Sequence, residues 1–400
     1  MVSAYSAFRS RDFRLLLAAS GLANAGLQML SVAVGWDLYV QTRSAAVLGS
    51  VGLVQVIPAL LFALFAGQLA DRIDRRQVLI VTQITTVLAS ALLVFGTPSV
   101  VLIYTVLFVL SSARTFQWSA RAAILGDVVP PEAIQNAVTW NSTVIETASL
   151  GGPALAGLLI AAASSKSVYW TQLLLAVVVL CCQVLLGVRR KPRPILDATA
   201  QTGWRALMEG INFVRRTPLI LAAASLDLFA VLFGGAVALL PIFAVDILHA
   251  GPQALGWMRA APSLGAITMA LVQAYSPRFR YPGRVLLWSV AAFGAVTVGF
   301  GLSRNLWLSL ALLALTGMFD NVSVVLRQSL MQLRTPPEVR GRVMAVNGVF
   351  INCSNQLGAV ESGWTAAWWG PVPSVVLGGI AAILVVVVCA VWSPLKEWEQ

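Results

Sequence analysis

A single histidine, His249, stands in 400 residues, so a histidine-based metal cluster cannot be assembled. Cysteine is almost as scarce. Cys181, Cys182, Cys353 and Cys389 all fall in long apolar stretches, where thiols act as small polarizable hydrophobes rather than as a disulfide or metal framework. Charge is the third deficit: only 11% of the residues carry it, against about 25% in soluble proteins, which excludes large soluble domains. No Gly-rich loop runs into Lys-Ser or Lys-Thr, so the phosphate cradle of an ATP-driven pump is missing. Neither an enzyme, a metal nor a bound cofactor is expected.

What fills the chain instead is apolar, with 58% hydrophobic side chains and a mean hydropathy of +0.82. Crossing ~30 Å of hydrocarbon takes roughly 20 apolar residues. Twelve such stretches are legible, at 13–40, 46–70, 78–96, 99–122, 135–163, 167–188, 218–247, 253–275, 284–302, 305–329, 341–368 and 371–393. The predicted fold class is therefore an all-α membrane protein of twelve transmembrane helices, with the lipid bilayer as its main partner. The formal charge of +11 would suggest nucleic acid in a soluble protein, but placement decides otherwise. With the N-terminus inside, 22 of the 27 Lys and Arg fall on the inner side and only Arg43, Lys166 and Arg304 outside, while Arg114 and Arg259 lie within spans. That asymmetry predicts cytoplasmic termini. Leu15–Ala25 ends in Ala23-Asn24-Ala25 like a cleavable leader, yet the apolar run continues to Val40, predicting a retained first span.

The long connection at 189–217 opens on Arg189-Arg190-Lys191-Pro192-Arg193-Pro194. It then places Trp204, Leu207, Met208, Ile211 and Val214 at helical spacing, which suits an amphipathic helix on the inner leaflet. The connection divides the chain into a six-helix bundle at 1–188, a linker at 189–217 and a second six-helix bundle at 218–400. A shift of 206 superposes Pro130-Pro131-Glu132 on Pro336-Pro337-Glu338, Arg121 on Arg327, Asn141 on Asn347 and Gly152 on Gly358. The halves read as pseudo-symmetric repeats, a transporter architecture.

After the second span the chain reads Gly67-Gln68-Leu69-Ala70-Asp71-Arg72-Ile73-Asp74-Arg75-Arg76. This run resembles the loop motif of the major facilitator superfamily, with Asp74 where the superfamily carries glycine. Asp71, Arg72, Arg75 and Arg76 would form a conformational latch that breaks when the halves rock. Gly151-Gly152-Pro153, followed by Gly157, resembles the superfamily's export motif, where Pro breaks a helical hydrogen bond and small residues let two backbones approach. Gln332-x-x-Thr335-Pro336 leading to Gly341-Arg342 is similar to the bacterial efflux branch that includes the enterobactin exporter and macrolide efflux proteins. The resemblance covers nearly the whole chain and implies two six-helix bundles, a multi-pass inner-membrane location and alternating access.

Charged and polar groups within spans mark cavities or partners, because each is expensive in hydrocarbon. Arg114, Gln117 and Arg121 share one face of the fourth span, and Asp320, Ser323 and Arg327 stand at the equivalent places on the tenth. The resemblance implies that these spans line a central cavity, so Arg114 and Asp320 are expected to pair across it. Arg121 and Arg327, near the cytoplasmic ends, are expected to snorkel or to make latch contacts rather than to touch the cargo. Asn24 and Gln28 on the first span and Asp227 on the seventh add polar groups, with interhelical hydrogen bonding as the alternative for Asn24 and Gln28. Glu146 and Glu361 are candidate proton carriers, and Asp37 and Asp246 candidate wetted rim residues. Together with the resemblance, these residues imply a monomeric proton-coupled exporter of an amphipathic small molecule, drug-like or macrolide-like, with protons and the cargo as partners and the proton gradient as energy source. Arg114 favours an anionic siderophore of the enterobactin type, whereas Asp227, Asp320 and Glu146 favour a cation. A non-transporting receptor or scaffold on the same fold is the alternative of another class.

Overall fold

A computed structural model describes residues 6–187, 203–275 and 279–398. Within the helices, the side chains of Gly67, Asp71 and Arg72 lie outside the described set, as does the basic run at 189–194.

The first helices are α1 (Arg11–Thr42), α2 (Ala45–Arg72), α3 (Arg75–Phe95), α4 (Val100–Leu125), α5 (Ile134–Ala162) and α6 (Ser165–Val184). The linker contributes α7 (Gly203–Arg216). There follow α8 (Pro218–Phe233), α9 (Gly251–Tyr275), α10 (Pro282–Leu302), α11 (Leu306–Arg334), α12 (Pro337–Trp369) and α13 (Pro371–Trp392). Beyond α8 the seventh span continues through a 3-10 turn, a short helical turn and the π-helical turn Phe243–Ile247. Gly234 and Gly235, which weaken a helix interior, stand where regular helix stops.

Among the described residues, eleven helical stretches are long and apolar enough to cross a membrane. The expected eleventh span, α12, is a helix of 33 residues but falls outside that set. Its sequence explains this, for Asn347, Asn352, Ser354, Asn355, Gln356 and Glu361 dilute its apolar content.

The repeat is visible in where helices start. Val100 and Leu306 open α4 and α11, Ala45 and Gly251 open α2 and α9, and Ser165 and Pro371 open α6 and α13, each pair 206 positions apart. Even a cap repeats: Ser99 accepts from Leu102 N at 3.3 Å, and Asn305 accepts from Trp307 N at 2.9 Å. In both halves a side-chain oxygen satisfies a backbone donor that the helix start leaves open.

The chain divides into two compact units, Met1–Asp37 with Val54–Ala200, and Leu38–Leu53 with Gln201–Gln400. In the first, α3 packs on α4 and α6, and Phe13, Leu16, Leu79, Ala120, Ile124 and Ala137 form a buried cluster. In the second, α9 packs on α11, α10 on α11 and α13, and α8 on α12 and α13. The amphipathic linker helix α7 is present and docks on α12, where Arg342 pairs with Glu209. The tip of the α1–α2 hairpin belongs to this second unit.

Candidate functional site

The loop motif at the end of α2 is built around Asp74. Its carboxylate accepts from Arg76 N at 3.0 Å and caps α3, with φ at −56°. This is an ordinary backbone conformation, so the turn works without the superfamily's glycine. Arg75 donates to Asp127 at 3.0 Å, just beyond the C-terminus of α4, and the Arg76 guanidinium donates to the Val184 carbonyl at the end of α6. The basic pair thus ties α3 to α4 and α6 within the first unit.

The export motif sits on α5 with Gly152, Pro153 and Gly157 buried. A Cβ on Gly152 would meet the Ala25 carbonyl and Gln28 Cβ, both at 3.0 Å, whereas one on Gly151 would meet nothing within 4 Å. Only the second glycine therefore serves close packing, and its partner is α1. The same seam holds Asn24 and Gln28. Asn24 Nδ2 donates to the Ile145 carbonyl at 3.0 Å and to Ser149 Oγ at 2.9 Å, and Gln28 Nε2 donates to Ser149 Oγ at 3.3 Å. Ser149 is four residues before Pro153, so its carbonyl lacks the usual helical donor. Asn24 and Gln28 thus make interhelical hydrogen bonds to α5.

On α4, Gln117 Nε2 donates to Gln83 Oε1 at 3.0 Å, and Gln83 Nε2 to the Ala176 carbonyl at 2.9 Å. This polar thread joins α4, α3 and α6. Arg121 is half-buried, with its Nε and Nη2 buried and without a hydrogen-bond partner among the described residues. Arg114 retains accessible surface and has no acidic partner among the described residues of the first unit. Glu146 is exposed on α5, and Glu361 on α12 accepts from Ser362 Oγ at 3.2 Å.

Among the described residues, a buried charged cluster lies in the second unit. Arg327, expected to snorkel or to make latch contacts, is instead only 1% exposed and forms an ion pair with Asp227 of α8. The reason is the partner: a buried guanidinium is retained where a carboxylate compensates it. Asp320, two turns before Arg327 on the same face of α11, lies within electrostatic reach of both groups. Asp227, Asp320, Ser323, Phe293 and Phe319 line a cavity of about 10 Å³, room for about one water. Spacing signalled Asp320 and Arg327 on one face. It gave no sign that Arg327 closes on Asp227, a hundred positions away.

The two candidate rim acids are also engaged. Asp37 accepts from Tyr169 at 2.6 Å and from Ser165, joining α1 to α6. Asp246, on the π-helical turn, pairs with Arg43 at 2.8 Å and accepts from Tyr39. Beside this cluster, Gly49 at the start of α2 lies against α12, where an added Cβ would stand 2.8 Å from Gly363 Cα.

The sequence pattern of the transmembrane secretion effector family matches residues 2–400. The multidrug efflux pump Tap of Mycolicibacterium fortuitum is 26% identical over 398 residues, covering 92% of this chain and 95% of Tap. The enterobactin exporter EntS of Escherichia coli O1:K1 is also 26% identical, covering 97% of this chain and 93% of EntS. In fold, the chain is similar to the inward-facing, unoccupied crystal structure of a bacterial homologue of the human lysosomal transporter Spinster. The TM-score there is 0.72, with 13% identity, 96% of this chain and 95% of that one covered.

Proposed function

The chain belongs to the transmembrane secretion effector family of the major facilitator superfamily, and from that premise we propose that it exports an amphipathic small molecule by alternating access, driven by inward proton movement. It acts as a monomer in a bacterial inner membrane, with both termini in the cytoplasm.

One observation carries the coupling: Asp320 stands on the wall of a water-sized cavity beside the buried Asp227–Arg327 pair. With Asp320 ionised, two carboxylates face one guanidinium and the cluster carries a net negative charge, which favours contact with water. With Asp320 protonated, the cluster is neutral and tolerates a closed, dry surround. Proton occupancy therefore selects between wet and dry states, as an antiporter requires. Arg327 is held by Asp227 throughout and keeps the proton site from being a lone carboxylate in hydrocarbon.

Similarity to Tap and EntS supports the export direction, and the packing of Gly152 on α1 gives the export motif a structural role. A drug-like or macrolide-like cargo heads the reading, with an enterobactin-type siderophore as the alternative.

The test is transport in proteoliposomes under an imposed pH gradient, with a panel of dyes, macrolides and siderophores. Wild-type protein moves at least one compound against its gradient, and Asp320→Asn allows only downhill exchange. Full uphill transport by Asp320→Asn overturns the coupling site. No transport of any kind by wild type would favour a receptor or scaffold instead.

A further inference from the structure

The two units treat the arginines of their repeat-equivalent helices α4 and α11 differently. In the second, Arg327 is matched by Asp227 with Asp320 beside it. In the first, Arg114 and Arg121 occupy one face of α4, seven residues or roughly 10 Å apart along the helix, and within electrostatic reach of each other. Neither has an acidic partner among the described residues of the first unit. Of the first unit's acids whose side chains are described, Asp12 accepts from Gly187 N, Asp37 from Tyr169, Asp74 from Arg76 N, and Asp127 from Arg75. Glu132 and Glu146 are exposed on other elements.

Arg121, toward the cytoplasmic end of α4, shares its face with a second positive charge, and a guanidinium is costly where donor nitrogens are buried without acceptors. Arg121 presents Nε and Nη2 in that state. A guanidinium offers a planar fork of donors that matches a two-oxygen face of carboxylate, sulfonate or phosphate. Gln117, between the arginines, has its amide nitrogen committed to Gln83, so the free donors there are those of the arginines.

We infer that Arg114 and Arg121 form an oxyanion-binding site on α4, and that the exported molecule is an amphipathic anion whose carboxylate, sulfonate or phosphate group is held there. This rests on the export reading above and narrows it, turning the cargo from a cationic, drug-like molecule to an acidic one.

The experiment uses the full chain in phosphatidylcholine nanodiscs and two probes with the same apolar body and opposite charge, pyrene sulfonate and pyrenylmethyl trimethylammonium. The sulfonate binds wild type and the ammonium does not. Arg114→Gln and Arg121→Gln each weaken sulfonate binding roughly tenfold or more, as expected for one charge-assisted contact, and Arg114→Lys and Arg121→Lys retain part of it. The lysine variants guard against a loss that only reports misfolding. Preference for the ammonium, or sulfonate binding indifferent to all four substitutions, overturns the site. Loss of sulfonate binding when phosphatidylglycerol is included in the disc would assign the oxyanion to a lipid headgroup and overturn its assignment to cargo. The same probes in proteoliposomes separate the two readings. Uphill export of the ammonium alone refutes the anion and keeps the exporter, whereas sulfonate binding without transport keeps the site and refutes the exporter.

Discussion

Asp74 replaces the glycine of the superfamily's loop motif and supplies a helix cap to α3. Asp74→Ala should therefore cost about 1 kcal/mol, while Asp74→Asn, which still offers an acceptor oxygen, stays near wild type. Thermal unfolding of the purified protein, followed by tryptophan fluorescence, checks both. The Asp227–Arg327 pair makes a larger demand, because removing one partner leaves a buried charge uncompensated, at about 3–5 kcal/mol. Arg327→Met should lower the melting temperature strongly, and the Asp227→Asn, Arg327→Met double variant should recover part of the loss. Losses that simply add would show that the two groups do not stabilise each other. Sequence made the importance of these residues legible and left the pairing hidden. Spacing fixes which residues share a helix face, but the partner of Arg327 was set by how α8 packs on α11.

At the scale of an element, α5 distinguishes two adjacent glycines that the motif alone treats alike. Gly152→Leu drives a side chain into the Ala25 carbonyl and Gln28, whereas Gly151→Leu enters open space. Transport assays should show loss for the first and near-normal rates for the second, and equal effects would remove α1 packing from the motif's role. The α1–α2 hairpin makes a parallel case. Arg43 and Tyr39 hold Asp246, and Gly49 rests against α12. Gly49→Leu should prevent that seating. Labelling of a cysteine placed at Arg43 should then be faster in Gly49→Leu than in an otherwise identical protein. The hairpin tip was legible as a helix-turn-helix, but its membership of the second unit was not, since periodicity carries no information on which distant helix a turn will meet.

Over the whole molecule, hydropathy and the 206-residue repeat displayed most of the architecture, because lipid leaves a spanning backbone few choices beyond the helix. Charge placement extends this to orientation: a cysteine at Lys166 or Arg304 should react with an impermeant reagent in intact cells, and one at Lys396 should not. Reaction at Lys396 would reverse the topology. Among the described helices, hydropathy undercounts α12, polar along much of its length and packed on α7, α8 and α13. That has a consequence for how the protein is made. A segment so polar partitions weakly from the translocon into lipid by itself, so its insertion draws on contact with α8, already synthesised, and with α13, which follows. Substitutions on the α8 face that receives α12 should then appear first as chains with α12 left outside the bilayer and degraded, before any fully inserted but inactive protein accumulates.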